Sequence, residues 1–230
     1  MNNSKFAFRP PFLRSSVIFT TMGCLLALAV SARAEELVRY KAKPLGSLVR
    51  IEGSANVHDW TMEGTLISGY LEVPVGVVLD SSLAEVAGAT GGKVIAHAEV
   101  AIPVNSVKNG KYDAMDEVML EAMGAKDYPR INFHLTEMTL KQPHTAGTPF
   151  QFDAKGKLSL HGVTNKISMP VTIESVDKMK LKVIGAAVPV NMTDYKIRPP
   201  VKLGLFITQP EVKISFTWIV GLANKPVAAK

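Results

Sequence analysis

The histidines are the side chains of this 230-residue sequence best suited to metal binding or acid–base chemistry. There are five of them: His58, His97, His134, His144 and His161. Zinc sites usually take histidines or cysteines in closely spaced pairs, and these five are spread along the chain without such pairs. The single cysteine, Cys24, lies in an N-terminal apolar run. The sequence therefore predicts no metal site.

Motifs for nucleophilic or cofactor-dependent catalysis are missing from the sequence as well. It has no Gly-x-Ser-x-Gly elbow, no phosphate-binding glycine-rich loop and no dinucleotide fingerprint. We expect His58 and Asp59 on one strand, where neighbours point to opposite faces and cannot form an acid–base pair. His97 and His134 fall on the polar phase of their strands, which predicts solvent-facing side chains. We therefore expect no catalytic residues and no cofactor.

The tryptophans and methionines allow two interpretations each. Trp60 and Trp218 lie in alternating segments, where large aromatic residues fill a core more often than they form a ligand platform. Residues 112–123 carry Met115 and Met119 among apolar positions spaced by three and four, which predicts a short helix that Gly124 ends. Because methionine adapts to irregular shapes, this helix is either a plug at one end of a sheet or a lid over a cavity.

The elements that must position these side chains are mostly strands. Apolar and polar residues alternate over 150–160 and 166–174, which predicts a hairpin with its turn at 161–164. The same alternation occurs at 94–102, 131–135 and 212–218. Less regular strands are expected at 48–53, 57–62, 67–78 and 179–190. This pattern favours an all-β antiparallel sandwich or barrel of about eight strands. Residues 80–92 and 142–149 are expected to be loops, and 222–230 a loose tail.

The first 34 residues have the features of a secretory signal peptide. Lys5, Arg9 and Arg14 precede an apolar run at 17–30, and small residues at 32 and 34 suit cleavage after Ala34. The run is shorter than the roughly 20 residues that cross a bilayer, so no stable membrane span is expected. The sequence predicts a periplasmic or secreted protein with one folded domain at 35–221.

The positive charge of the chain belongs largely to this leader. The formal net charge is +6, but the first 34 residues hold four of the 26 basic residues and no acidic residue. The mature chain would carry only +2, and its lysines alternate along strands without interleaved exposed aromatic residues. We therefore expect no nucleic-acid partner.

Three stretches together resemble the YceI-like family of exported, lipocalin-like proteins that bind polyisoprenoids and related amphiphiles. They are 156–166 (GKLSLHGVTNK), 125–133 (AKDYPRINF) and 104–110 (VNSVKNG). The resemblance implies an eight-stranded antiparallel barrel with a short helix near one mouth, an apolar lumen for a long lipid chain and no catalytic residues. Residues 54–60 (SANVHDW) replace the usual Phe and His-Leu-Gly sequence, as in a divergent branch.

Strand periodicity leaves the interior of such a barrel undecided, because a filled core and an open lumen present the same apolar face. An open lumen would be lined by the apolar phase: Val100, Ile102, Phe133, Leu135, Phe152, Leu158, Ile167, Met169, Phe216 and Trp218, with Met115 and Met119 at the mouth. The function expected is sequestration or transfer of an isoprenoid or fatty amphiphile.

Two other functions stay open at this point. An enzyme acting on a small hydrophobic substrate would need a buried polar cluster that includes His58 or His161. A filled barrel that serves as a protein-interaction module would hold no ligand and would expose an apolar patch. A homodimer is compatible with all three functions.

Overall fold

Strands make up most of the chain that the computed structural model describes, namely residues 36–80, 83, 92–141, 145–223 and 227–228. The expected signal peptide, most of the expected loop at 80–92, and His144 lie outside these residues. The strands are β1 Glu36–Ala42, β2 Leu48–Ala55, β3 Asp59–Gly64, β4 Ser68–Pro74, β5 Lys93–Val94, β6 His97–Pro103, β7 Arg130–Leu140, β8 Phe150–Leu160, β9 Val163–Asp177, β10 Lys180–Asn191, β11 Val201–Lys202, β12 Phe206–Leu222 and β13 Val227–Ala228. Helix α1 spans Asp113–Ala122, and short 3-10 helices span Val104–Ser106 and Met192–Tyr195.

Eight of these strands close into an antiparallel barrel. The order around the wall is β1, β4, β6, β7, β8, β9, β10 and β12, and β12 returns to β1 through three residue pairs, from Tyr40↔Leu222 to Ala42↔Val220. Closure pairs the backbone groups that an open sheet would leave free at its edges. The predicted eight-stranded barrel is confirmed, and the sandwich alternative is wrong.

The long strand β12 pairs with two different strands along one of its edges. Its residues Thr208–Thr217 pair with β2, and its residues Val220–Leu222 pair with β1. Strands β1 and β2 therefore lie end to end beside β12, and the hairpin β2–β3 extends the wall beyond the closed part of the barrel. This extension forms one side of the mouth described below.

Side-chain burial follows the predicted period of two. In β8 the inward positions from Phe150 to Leu160 are buried, and the residues between them face outward. The barrel is filled at the end where β8 begins: Phe150 and Phe152 are fully buried, with ring centroids 6.4 Å apart, and Val220 of β12 is fully buried too. Burying side chains of this size contributes about 1.5–3 kcal/mol each, so this filled end is a major source of stability.

Three details of the strands differ from expectation. Strand β3 begins at Asp59 rather than at residue 57, so His58 lies in the preceding turn and not on a strand. Strand β1 was not predicted, because Leu37 is its one buried position and the strand lacks the regular alternation that identified the others. Within the segment expected to be a loose tail, Leu222 ends β12 and Val227–Ala228 pair with the start of β1.

A partly buried ion pair joins β1 to β4. Arg39 and Glu72 are directly opposite in the strand register, and the Arg39 Nε donates a hydrogen bond of 2.6 Å to the Glu72 carboxylate. Glu72 is only 6% exposed, and the Arg39 guanidinium lies 4.3 Å from the centroid of the Tyr70 ring. The pair neutralises a carboxylate that would otherwise be costly to bury.

We expect Arg39→Met to lower the free energy of unfolding by about 1–3 kcal/mol, because it leaves the buried Glu72 carboxylate without its cation. Urea denaturation measures the change. Arg50→Met is the control, because the Arg50 and Glu63 side chains of that ion pair are 45% and 44% exposed, and exposed pairs contribute little to stability. Equal losses in the two variants would contradict this account of β1.

Candidate functional site

The end of the barrel opposite the filled end contains a cavity of about 550 Å³. Its walls are the hairpin β2–β3, helix α1, the start of β12 and the segment between Val190 and Thr208. Most lining side chains are apolar, among them Ile51, Val57, Trp60, Met62, Met192, Ile197 and Phe206. The volume lies in the range of cavities that enclose small molecules.

A second cavity of about 110 Å³ lies deeper in the barrel, and every residue that lines it is apolar. Ile51, Ile131, Val190 and Ile214 line both cavities. The two spaces therefore lie in series along the barrel, the small one between the large one and the filled end. Together they form an apolar lumen with one wide end.

Most of the lining residues expected from the sequence lie on this lumen. The small cavity is lined by Val100, Ile102, Phe133, Leu135, Leu158, Ile167, Met169, Phe216 and Trp218, and the large cavity by Met115 and Met119. Phe152 lines neither cavity, because it lies nearer the filled end of β8 and packs beside Phe150. Periodicity places a side chain on the inner face but not at a height along the barrel axis.

The sequence analysis missed the residues of the segment after β10. Met192, Ile197, Pro200, Leu203 and Phe206 line the large cavity, although the segment has no regular period. The signal that could have identified it is the apolar run at 203–207 within a stretch that the prolines at 199 and 200 mark as a turn. An apolar run in a turn is unusual, since turns are mostly polar.

Helix α1 forms one wall of the large cavity and ends as expected. Met115, Met119 and Met123 line the cavity. Gly124 follows the helix with φ of 55°, and the Ala125 N–H donates to the Leu120 carbonyl at 2.9 Å, the pattern of a helix that ends in a left-handed residue. Of the two interpretations of this helix, the geometry fits a cover over a cavity rather than a plug that fills it.

Polar contacts hold helix α1 against strand β3. The Asp116 carboxylate, which is 8% exposed, accepts a hydrogen bond of 2.7 Å from the Asn109 backbone N–H. The Asn109 side chain donates to the Thr61 carbonyl at 2.9 Å and accepts from the Tyr112 N–H at 3.2 Å. Lys108 Nζ is 3.4 Å from the same carboxylate. This cluster fixes the start of the helix at the mouth of the barrel.

Three lumen aromatics each lie over a glycine of a neighbouring strand. The pairs are Trp60 with Gly53, Phe133 with Gly156, and Phe216 with Gly185. A Cβ added at any of the three glycines would lie within 3.0 Å of the ring. All three glycines occupy inward positions of their strands, so the rings pack against the wall and leave the centre of the lumen open.

His161 has a structural position rather than a place in a cavity. It forms the β8–β9 turn with Gly162, and both residues have positive φ, 48° and 74°. Its ring lies 4.9 Å from that of Tyr128, and its Nδ1 is 3.3 Å from the Tyr195 carbonyl oxygen. The histidine thus joins the hairpin turn to the segments after α1 and after β10.

Charged and polar side chains of the large cavity lie at its outer edge. His58, Glu117 and Lys202 line the cavity and are exposed to solvent, and Thr208 is half-buried. Burial raises the pKa of the Tyr40 and Tyr195 phenols, but neither residue lines either of the two cavities. The edge can solvate a polar group while the interior accepts an apolar chain.

The two other histidines on described strands, His97 and His134, lie on the outer face of the barrel. His97 is exposed and His134, nearly half-exposed, contacts Glu99 on the outer face, as their polar phase predicted. No group of three or more metal-ligating side chains comes together within the described residues. In the same part of the chain, no helix is long and apolar enough to cross a membrane.

A closed antiparallel barrel with an apolar lumen and a helix at its mouth defines a lipocalin-like fold. A family model described as a YceI-like domain matches residues 40–219, which is most of the chain. The protein therefore belongs to the YceI-like family. No curated protein matches it in sequence.

Two solved structures have the same fold at low sequence identity. A polyisoprenoid binding domain from Saccharophagus degradans, implicated in plant cell wall breakdown, is 16% identical with a TM-score of 0.59, over 80% of this chain and 98% of that one. BcnA from Burkholderia cenocepacia is 17% identical with a TM-score of 0.56, over 77% of this chain and 98% of that one. At this identity the likeness concerns the fold.

We expect Asp116→Ala to loosen helix α1 without unfolding the barrel, because the carboxylate binds the segment that holds the helix on β3. Hydrogen exchange of the α1 amides should rise by a factor that corresponds to about 1–3 kcal/mol. Glu117→Ala, which removes an exposed carboxylate from the next position, is the matched control. Unchanged exchange in Asp116→Ala, or equal changes in both variants, would contradict this role.

Proposed function

We propose that the protein is an exported carrier that sequesters or transfers a long-chain isoprenoid or a similar amphiphile. The observation that carries the proposal is the pair of apolar cavities in series. A chain that enters at the wide end passes Trp60 and the α1 methionines and reaches Phe216 and Trp218 in the small cavity. Such a shape suits a ligand that is long, flexible and apolar.

Apolar contact alone supplies enough free energy for this function. Each methylene removed from water contributes about 0.8 kcal/mol, so a chain of several isoprene units binds without any specific hydrogen bond. The polar head then lies at the outer edge, near His58, Glu117, Lys202 and Thr208. These side chains offer both donors and acceptors, which suits a neutral or an anionic head group.

The likeness to the Saccharophagus domain supports the ligand class, since that protein is described as polyisoprenoid-binding. The N-terminal sequence supports export: three basic residues, an apolar run at 17–30 and small residues before Glu35 suit a cleaved signal peptide and a periplasmic or secreted product. A carrier in that compartment would meet its ligand at a membrane or in transit between two.

The proposal assigns binding rather than catalysis. An enzyme inside the barrel needs polar groups that are withdrawn from water and aimed at a substrate. His58, Glu117 and Lys202 are instead exposed at the outer edge, and His161 serves a turn. The filled-barrel module is disfavoured by the open lumen, although the protein does expose apolar side chains such as Leu203 and Leu205.

The two tryptophans make the binding measurable, since Trp60 lines the large cavity and Trp218 the small one. The Trp218 indole Nε1 is buried, and it has no hydrogen-bond partner among the described residues; the small cavity beside it is lined by apolar residues. We expect a long polyprenol to change the fluorescence of both tryptophans and a short amphiphile to change that of Trp60 alone. Trp60→Phe and Trp218→Phe isolate the two signals in a titration.

An organic extract of the detergent-free protein, analysed by mass spectrometry, complements the titration. A stoichiometric isoprenoid or fatty amphiphile in the extract would support the proposal and identify the ligand class. An extract without amphiphile, together with no fluorescence change on addition of polyprenols or fatty acids, would refute it.

We expect Gly185→Ala to shorten the longest chain that the lumen accepts. The added Cβ displaces the Phe216 ring, which lines the small cavity, and we expect the ring to move into that cavity. Titration with polyprenols of increasing length should show weaker binding of long chains and little change for short ones. Gly76→Ala is the control, since a Cβ there meets nothing within 4 Å. Equal binding of all chain lengths by both variants would contradict the role of the glycine.

A further inference from the structure

Large apolar side chains lie exposed around the mouth of the large cavity. We call this surface the apolar platform; its members and their exposed fractions are Val57 54%, Val201 56%, Leu203 86%, Leu205 68%, Phe206 41% and Ile207 46%. Single exposed apolar residues are ordinary, but a contiguous group of this kind marks an interaction site. All but Val57 belong to the β11–β12 hairpin and its turn.

The backbone of this hairpin is unfavourable for the residue at its tip. Leu203 and Gly204 have φ of 52° and 68°, and the Leu205 N–H donates to the Lys202 carbonyl at 3.1 Å, as in a type I′ turn. Such turns favour Asn-Gly, whereas leucine avoids positive φ. Leu203 is therefore strained in its backbone, and its side chain is 86% exposed.

The hairpin is held firmly in this exposed position. Asn56, in the β2–β3 turn, donates from its side chain to the Leu205 carbonyl at 2.7 Å and accepts from the Ile207 N–H at 2.9 Å. Its backbone N–H donates to the Ile207 carbonyl at 3.1 Å. Two turns that are about 150 residues apart in sequence thus form one rigid apolar surface.

The segment that carries most of the platform is positively charged, although the exposed Asp59 and Asp194 lie in neighbouring segments and Glu117 lines the same cavity. The stretch 195–210 contains Lys196, Arg198 and Lys202 and no acidic residue, and all three cations are exposed. Exposed apolar side chains flanked by lysine and arginine match the interface of an anionic bilayer, where the apolar groups enter the acyl boundary and the cations meet phosphate.

The platform is continuous with the lumen, because Val57, Lys202, Leu203 and Phe206 also line the large cavity. We propose that the apolar platform docks on the surface of an anionic lipid bilayer and opens the cavity directly to it. A ligand would then pass between bilayer and lumen without its chain crossing water. The biological role of docking rests on the proposed carrier function, but vesicle binding can be measured independently of ligand binding.

Vesicle co-sedimentation tests the docking. We expect the purified protein to bind vesicles of phosphatidylethanolamine and phosphatidylglycerol more tightly than phosphatidylcholine vesicles. The difference should shrink in 0.5 M salt, because the screening length of electrostatic interactions falls from about 10 Å at 0.1 M salt to about 4 Å. Leu203→Asn combined with Leu205→Ser should weaken binding to anionic vesicles at least about tenfold. Because asparagine suits the turn, this variant should keep or gain thermal stability.

Leu45→Asn is the matched control, since Leu45 is 84% exposed and lies in the β1–β2 turn, toward the filled end of the barrel. It should bind vesicles as the unmodified protein does. Failure of the unmodified protein to bind anionic vesicles, or equal binding by the platform variant and the control, would overturn the proposal. A dimer in sedimentation that the platform variant abolishes would assign the surface to a second copy of the chain instead.

Ligand titration in solution separates this inference from the carrier function. Val201→Thr combined with Leu205→Ser changes only platform residues that line neither cavity. If this variant binds free polyprenol normally but takes up vesicle-embedded polyprenol slowly, both proposals stand. If the unmodified protein binds vesicles but no polyprenol, the docking stands and the carrier function fails. If it binds free polyprenol but not vesicles, the carrier function stands and the docking fails.

Discussion

The open lumen depends on a packing constraint between aromatic rings and glycines on neighbouring strands. An eight-stranded barrel has an interior that its own side chains can fill. Here the rings of Trp60, Phe133 and Phe216 lie over Gly53, Gly156 and Gly185, and none of these glycines has room for a Cβ. The rings thereby contribute apolar surface to the wall without occupying the centre.

The barrel then divides into three zones along its axis. Phe150, Phe152 and Val220 fill one end, the small cavity occupies the middle, and the large cavity opens beneath helix α1. The same strands thus contribute to stability at the filled end and to the ligand cavities farther along the barrel axis. The filled end contains fully buried side chains, whereas the wide end is completed by the β2–β3 hairpin, the helix and the segment before β12.

Much of the fold could be predicted because it follows from local sequence patterns. The alternation in β8 and β9, the helical spacing of Met115 and Met119, and Gly124 as a stop all reflect interactions within a few residues. Strand β1 could not be recognised in this way, since it is defined by its register with β4 and β12 and by the Arg39–Glu72 pair. His58 was misplaced because its turn is held to Ile207 through Asn56.

The sequence alone determined the class of the protein: an antiparallel barrel, a short helix, an apolar inner face and the motifs of the YceI-like family. Period two decides which face a side chain occupies, and that is a local property. Only the tertiary structure decided where the barrel is filled and where it is open, because that depends on which residues meet across strands. Phe152 and Phe216 have the same periodic phase, yet one packs in a filled end and the other lies over a glycine 31 residues away in sequence.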